Sequence, residues 1–226
     1  MQLYLSGNSN LKSQISNPKS IKNIIFDFGG VICNIDIKRT EKRFIELGMK
    51  HLDSKESVME RDALFGKIED GSLSSKNFRD ALRKYFDKPV TDQEIDDAWN
   101  ALLLEIPEPR IRLLEKLKKH YRIFLLSNSN EIHYLKFLES FKNQYRYRDF
   151  DALFEKAYFS FQVKLKKPDM EIFEYVIRNS NLNPGETLFI DDTLHHVEGA
   201  LSAGIHAHHL QIQKGEQIMD IFQPEE

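Results

Sequence analysis

Five short apolar runs, each closed by turn-forming or acidic residues, punctuate the chain at 21–26, 122–126, 157–160, 187–190 and 205–210. Runs of this length, rich in branched and aromatic side chains, read as buried strands. Between them, apolar residues recur at helical spacing over 111–119, 131–141, 169–179 and 195–203, the pattern of helices with one face buried. Strand alternating with helix predicts an α/β fold, a Rossmann-like doubly wound parallel sheet. The stretch 37–106 breaks the alternation, with helical patterns at 37–47, 54–65, 74–86 and 92–104. A strand–helix–strand crossover takes about 30 residues, and this connection is far longer. It is therefore expected to be a helical domain (37–106) inserted after the first strand of a core made of 1–36 and 107–226. Pro107 and Pro109 mark the return to the core, and the polar residues up to 20 read as a loose lead-in.

Composition narrows the partners. Hydrophobic residues make up 41% and charged residues 30% of 226, the mix of a globular protein with a sizeable core. A mean hydropathy of −0.49 and the lack of any long apolar run exclude a spanning helix. Thirty-two basic against 35 acidic residues leave a net charge of −3, which gives nucleic acid or an anionic membrane no electrostatic footing. One cysteine, Cys33, cannot form an internal disulfide, and Met1–Leu5 is too short and too poorly charged for a secretory signal. The expectation is a cytoplasmic protein, monomeric or weakly dimeric, with a small-molecule ligand.

In open parallel sheets, ligands sit beyond the carboxyl ends of the strands. Those ends carry Asp27, Ser127 and the adjacent pair Asp191 and Asp192, and Lys167 follows the third run just ahead of a helix. Carboxylates, a hydroxyl and an ammonium converging on one edge suit phosphate chemistry with a hard divalent cation. Mg²⁺ takes one or two protein carboxylates beside substrate phosphate, while lysine and hydroxyl neutralise the remaining phosphate oxygens. Taken singly, each has a plainer reading: Asp27 as a turn residue, Ser127 as the cap of the helix at 130, the acidic pair as a helix cap, Lys167 as part of a solvated basic loop with Lys164 and Lys166. Two adjacent acids repel, however, unless a cation lies between them.

Four segments in order, Ile25-Phe26-Asp27-Phe28-Gly29-Gly30-Val31, Leu125-Leu126-Ser127-Asn128, Lys167-Pro168-Asp169 and Phe189-Ile190-Asp191-Asp192, resemble the motifs of the haloacid dehalogenase superfamily of phosphatases. The likeness spans nearly the whole chain after residue 21, and the insertion matches that family's helical cap. The resemblance implies that Asp27 is a nucleophile taking the phosphoryl group. It also implies that Ser127 and Asn128 hold phosphate oxygens and that Lys167 bridges phosphate and nucleophile. Asp27, the Gly29 carbonyl and Asp192 are implied Mg²⁺ ligands, with Asp191 a ligand or a partner behind them.

One position departs from the pattern. Most phosphatases of the superfamily carry a second aspartate two residues after the nucleophile, where this chain has Gly29. Glycine cannot move a proton, and general acid–base catalysis is worth about 10²–10⁴-fold, so substrates with easy leaving groups are favoured. The segment 27–36 is similar to the opening of bacterial α-glucose-1-phosphate phosphatases, which share the gap, and Asp36 is the nearest alternative donor. The competing functions are a metal-independent 2-haloacid dehalogenase, which does not keep the acidic pair, a non-catalytic phospho-ligand binding protein, and a sugar-phosphate mutase. The triplet Asp27-Phe28-Gly29 occurs in kinases, but no glycine-rich loop accompanies it. His195, His196, His206, His208 and His209 lack zinc-ligand spacing, Cys33 reads as a small buried side chain, and Trp99 as packing within the insertion.

Overall fold

The computed structural model describes residues 2–3, 20–50, 55–145 and 149–223. The lead-in expected over 1–20 lies almost wholly outside them, as does Ser54, the expected start of the second insertion helix. A two-residue strand, β1 (Gln2–Leu3), pairs antiparallel with β7 (Phe222–Gln223). The main sheet has five parallel strands in the order β4–β3–β2–β5–β6, namely Lys156–Phe159, Arg122–Ser127, Asn23–Phe26, Thr187–Asp191 and His206–His209. All five expected strands are present, with ends that differ from the expectation by one or two residues. Ser160, expected to end a strand, instead opens the short helix α7 (Ser160–Val163).

The central strands are buried on both faces, as parallel sheets require. Ile24, Phe26, Ile123, Leu125, Leu188 and Ile190 face one apolar cluster, filled by α5 (Glu108–Leu117) and α6 (Glu131–Gln144). Ile25, Phe124, Leu126 and Phe189 face a second, filled by α8 (Met170–Ser180) and α9 (Leu194–Ser202). This two-residue alternation between faces, helix-covered on both sides, is the doubly wound α/β architecture. A four-residue helix, α10 (Ile218–Ile221), ends the described chain before β7.

Between β2 and β3 the chain is helical: α1 (Ile37–Glu46), α2 (Lys55–Glu69), α3 (Ser75–Leu82) and α4 (Asp92–Trp99). Two expected helices are shorter than their apolar pattern. The 74–86 pattern divides into α3 and a 3₁₀ turn at Arg83–Tyr85, and the 92–104 pattern into α4 and a 3₁₀ turn at Asn100–Leu102. Conversely α5 starts three residues before its pattern, because Pro109 is preorganised for a first helical turn. Local caps fix the other starts: Asp36 accepts from Lys38 N, Ser74 from Asn77 N, and Thr91 and Glu94 form a reciprocal capping box.

This segment has its own apolar cluster, built on Phe44, Phe78, Leu82, Ile95 and Trp99, with Ile132 of α6 joining it to the rest. Its two connections run side by side, with Asn34 N on Glu105 O, Leu104 N on Asn34 O and Asp36 N on Leu102 O. Among the described residues no helix is long and apolar enough to cross a membrane.

Candidate active site

Sheet register places the acids. Phe26 is paired with Ile190 and Asp27 N donates to Ile190 O at 2.9 Å, so Asp27 and Asp191 leave the sheet side by side. Ser127 ends the neighbouring strand β3. Lys167 arrives from the loop between α7 and α8, and its side chain is fully buried. Its ammonium donates to Asp27 Oδ1 at 2.5 Å, to Asp191 Oδ2 at 2.7 Å and to the Leu126 carbonyl at 3.0 Å, which accounts for all three protons. Burial works against that charge, but Asp191 and Asp27 outweigh it and hold the lysine above its ordinary range. A solvated basic loop would look quite different.

The two aspartates of the pair are unlike. Asp191 is fully buried, with Oδ2 on Lys167, Oδ1 accepting from Thr193 N at 2.8 Å, and His196 Nδ1 3.0 Å from Oδ2. Burial would raise it, yet Lys167 and His196 win and keep it ionised. Asp192 is half-buried, forms no salt bridge among the described residues, and is raised by burial and by Asp191. Asp27 is pushed up to about 7, first by burial and then by its two acidic neighbours, against the pull of Lys167. Ligand oxygens of Asp27, Asp191 and Asp192 all lie within 4.8 Å of one another. One lysine does not neutralise three clustered carboxylates, and an all-oxygen donor set fits a hard divalent cation. The Gly29 carbonyl accepts no hydrogen bond among the described residues, leaving its lone pairs free.

Backbone geometry adds a requirement. Gly30 has φ +77°, and a Cβ there would lie 2.3 Å from Asp192 Oδ2, so only glycine lets the nucleophile loop close on that carboxylate. At Gly29 the obstacle is a side chain: Ile35 Cδ1 stands 3.2 Å from where a Cβ would be.

Ser127 is buried with its hydroxyl 3.4 Å from the Asn128 carbonyl, too long for a good bond, so it can turn to an incoming oxygen. The Asn128 side chain is otherwise engaged. Its Oδ1 accepts from Lys167 N at 2.9 Å and its Nδ2 donates to Lys167 O at 2.8 Å. Ser127 is also not the cap of α6; Asn130 is, accepting from His133 N at 3.0 Å.

Sequence reasoning missed His196, grouped with its neighbours as surface or core; its position five residues past Asp191, at the start of a helix, is the available signal. The other histidines bond singly, for instance His209 to Asp192 O and His208 to Glu216, and form no metal cluster among the described residues. Cys33 is buried and its thiol is pushed up to about 12, mainly by burial, surroundings that disfavour the thiolate.

A family model for haloacid dehalogenase-like hydrolases matches residues 21–204. The chain belongs to that family. A D-ribitol-5-phosphate phosphatase of Bacteroides thetaiotaomicron is 34% identical over 172 residues, covering 76% of this chain and 83% of the relative. Among solved structures, a haloacid dehalogenase family enzyme of Bacteroides thetaiotaomicron is 35% identical with a TM-score of 0.84, covering 90% of this chain and 99% of its own. A complex of that enzyme with magnesium and inorganic phosphate is 35% identical at a TM-score of 0.78, covering 90% and 100%.

Proposed function

We propose that this haloacid dehalogenase family phosphatase hydrolyses a small sugar or polyol phosphate through a phosphoryl group carried on Asp27, with Mg²⁺ as cofactor. The observation that carries the reading is the Lys167 ammonium held between Asp27 and Asp191 at 2.5 and 2.7 Å, beside an Asp192 that has no salt bridge among the described residues. Phosphatase activity and Mg²⁺ are supported by the likeness to the ribitol-5-phosphate phosphatase and to the magnesium–phosphate complex.

In this mechanism an Asp27 oxygen forms a bond to phosphorus as the bond from phosphorus to the leaving oxygen breaks. The electron pair departs with that oxygen, which takes up a proton from solvent. Water then attacks phosphorus, giving a proton to solvent as the bond from phosphorus to the Asp27 oxygen breaks, so that inorganic phosphate leaves and the Asp27 carboxylate is restored. Lys167 fixes the attacking carboxylate and offsets phosphoryl charge, and the Ser127 hydroxyl donates to a phosphate oxygen. Asn128 acts one step back, gripping the Lys167 backbone. Asp27, Asp192 and the Gly29 carbonyl would hold Mg²⁺, which would supply positive charge to phosphoryl oxygens, and Asp191, itself tied to Lys167, Thr193 and His196, supports them. The helical segment 37–106 acts as a cap. No acid stands at position 29, and one Asp36 oxygen caps α1 at 3.1 Å from Lys38 N, so an easily departing alcohol such as the anomeric oxygen of a sugar 1-phosphate suits the site. Ribitol 5-phosphate is the competing candidate, brought in by the relative's name.

The test is a screen of glucose 1-phosphate, glucose 6-phosphate, ribitol 5-phosphate and p-nitrophenyl phosphate, with Mg²⁺ and with excess chelator, for wild type and Asp27→Asn. Wild type should turn over with Mg²⁺ only, and the near-isosteric amide should lose at least about 10³-fold in kcat with an unchanged melting temperature. Turnover persisting in Asp27→Asn removes Asp27 as nucleophile. Undiminished activity in chelator removes Mg²⁺ from the mechanism.

A further inference from the structure

The last turn of α2 lies on the core loop that carries Lys167. Gly71, at φ +66°, is pressed so close that a Cβ would meet the Phe161 carbonyl oxygen at 2.3 Å. Lys164 Nζ donates to the Gly71 carbonyl. The Ser160 hydroxyl lies 2.6 Å from the Glu69 carbonyl and 3.1 Å from the Ser129 carbonyl, and accepts from Ser129 N at 2.9 Å. The backbone at Glu69 is thus one hydroxyl away from the turn that follows Ser127.

Among the described residues, two side chains in this seam have no hydrogen-bond or salt-bridge partner. The Glu69 carboxylate is half-buried and accepts no hydrogen bond among the described residues. Burial raises its pKa, and Lys166 is the cation that opposes the shift. Lys166 Nζ sits over α2, 3.3 Å from the position of a Gly66 Cβ, and forms no salt bridge or hydrogen bond among the described residues. It directly precedes Lys167, whose ammonium touches Asp27. An acceptor and a donor therefore sense each other's charge without a hydrogen bond between them, on two elements tied by the Ser160 hydroxyl and the Lys164 ammonium, one of them adjoining in sequence the lysine on Asp27. Leaving a carboxylate partly desolvated and unbonded is costly, and a hydroxyl-bearing ligand that accepts from one group and donates to the other relieves that cost.

We propose that Glu69 and Lys166 grip hydroxyls of the substrate's carbon chain, so that the substrate class is a polyhydroxylated phosphomonoester and Glu69 is a specificity-determining residue. This rests on the phosphatase reading above. The competing account is a structural one, a loose ion pair steadying α2 on the loop, which would treat all substrates alike.

The measurement is the ratio of kcat/KM for ribitol 5-phosphate to that for n-pentyl phosphate, at saturating Mg²⁺, in wild type, Glu69→Gln and Lys166→Gln. The two probes share chain length and leaving-group type and differ in hydroxyls. Wild type should prefer the polyol, and each variant should lower the ratio about tenfold or more, chiefly through KM of the polyol, because a site built for hydroxyls rejects the analogue without them. Lys166→Gln lies in a loop and guards against a Glu69 variant that fails to fold. A wild type that turns over p-nitrophenyl phosphate without preferring the polyol, or a ratio unchanged in both variants, overturns this inference alone. A wild type inactive on p-nitrophenyl phosphate sinks the phosphatase reading first.

Discussion

Two adjacent glycines in the nucleophile loop do different jobs. At Gly29 the Ile35 side chain already stands 3.2 Å from where a Cβ would be, and its functional weight is the missing acid. Gly30 matters through space and backbone, since its φ of +77° and the 2.3 Å approach of Asp192 Oδ2 both exclude a side chain. Gly30→Ala should therefore push the Asp192 carboxylate aside, raising the Mg²⁺ concentration for half-maximal activity about tenfold or more, as outer perturbations of metal ligands do. Left-handed backbone should add a stability loss of about 1–2 kcal/mol. A Mg²⁺ titration of activity checks this; an unchanged midpoint beside a lowered melting temperature would mean that Asp192 is not a metal ligand.

At the scale of elements, the joint between the helical segment and the sheet-bearing core is aromatic. Trp99 of α4 stacks on His133 of α6, with ring centroids 4.9 Å apart and planes 14° from parallel, and Asn100 Oδ1 lies 2.9 Å from His133 Nδ1. Burial depresses the His133 pKa to about 3 from an ordinary 6.5. Between those values the unfolded chain binds the proton and the folded one does not, so this residue's contribution favours folding above pH 6.5 and erodes as pH falls toward 3. By pH 5 the cost is about 2 kcal/mol. His133→Phe, which cannot titrate, should flatten the fall in melting temperature between pH 7 and 5 relative to wild type; parallel curves would place His133 in water or charged. The joint was hidden in the sequence, where Trp99 read as packing inside the insertion and His133 carried no signal. The strand runs, by contrast, were legible because buried parallel strands need unbroken apolar stretches. So were Asp27, Ser127, Lys167 and the acidic pair, because strand ends and a lysine–proline step mark them. The division of labour between Asp191 and Asp192 came only with the family resemblance; the residues themselves do not carry it, since it depends on which carboxylate the fold turns toward Lys167 and His196.

For the molecule as a whole, the concentrated charge at one sheet edge couples folding to both protons and metal. A net charge of −3 is small, but three acids share one 4.8 Å cluster with a single buried lysine. With Asp27 raised to about 7 from 3.8, the folded state binds the proton more tightly than the unfolded chain. This residue's contribution is therefore complete below about pH 4 and is lost as pH rises through 7, opposite in sign to that of His133 in the same window. A divalent cation competes with that proton for the same oxygens. Bound to the folded form alone, it stabilises by RT ln(1 + [Mg²⁺]/Kd), about 2.7 kcal/mol at a hundred times Kd, or about 5 °C for a chain of this size. At pH 5.5 the proton holds Asp27 and raises the effective Kd, so the melting-temperature gain from a fixed excess of Mg²⁺, about 5 mM, should be clearly smaller than at pH 8. Asp192→Asn should abolish most of the gain at both pH values while making the metal-free protein more stable at pH 8, because removing a like charge relieves its neighbours. Thermal melts of both proteins with Mg²⁺ and with chelator decide it. A gain equal at the two pH values would show that Asp27 does not share its oxygens with the metal, and a gain surviving intact in Asp192→Asn would move the cation to another set of ligands.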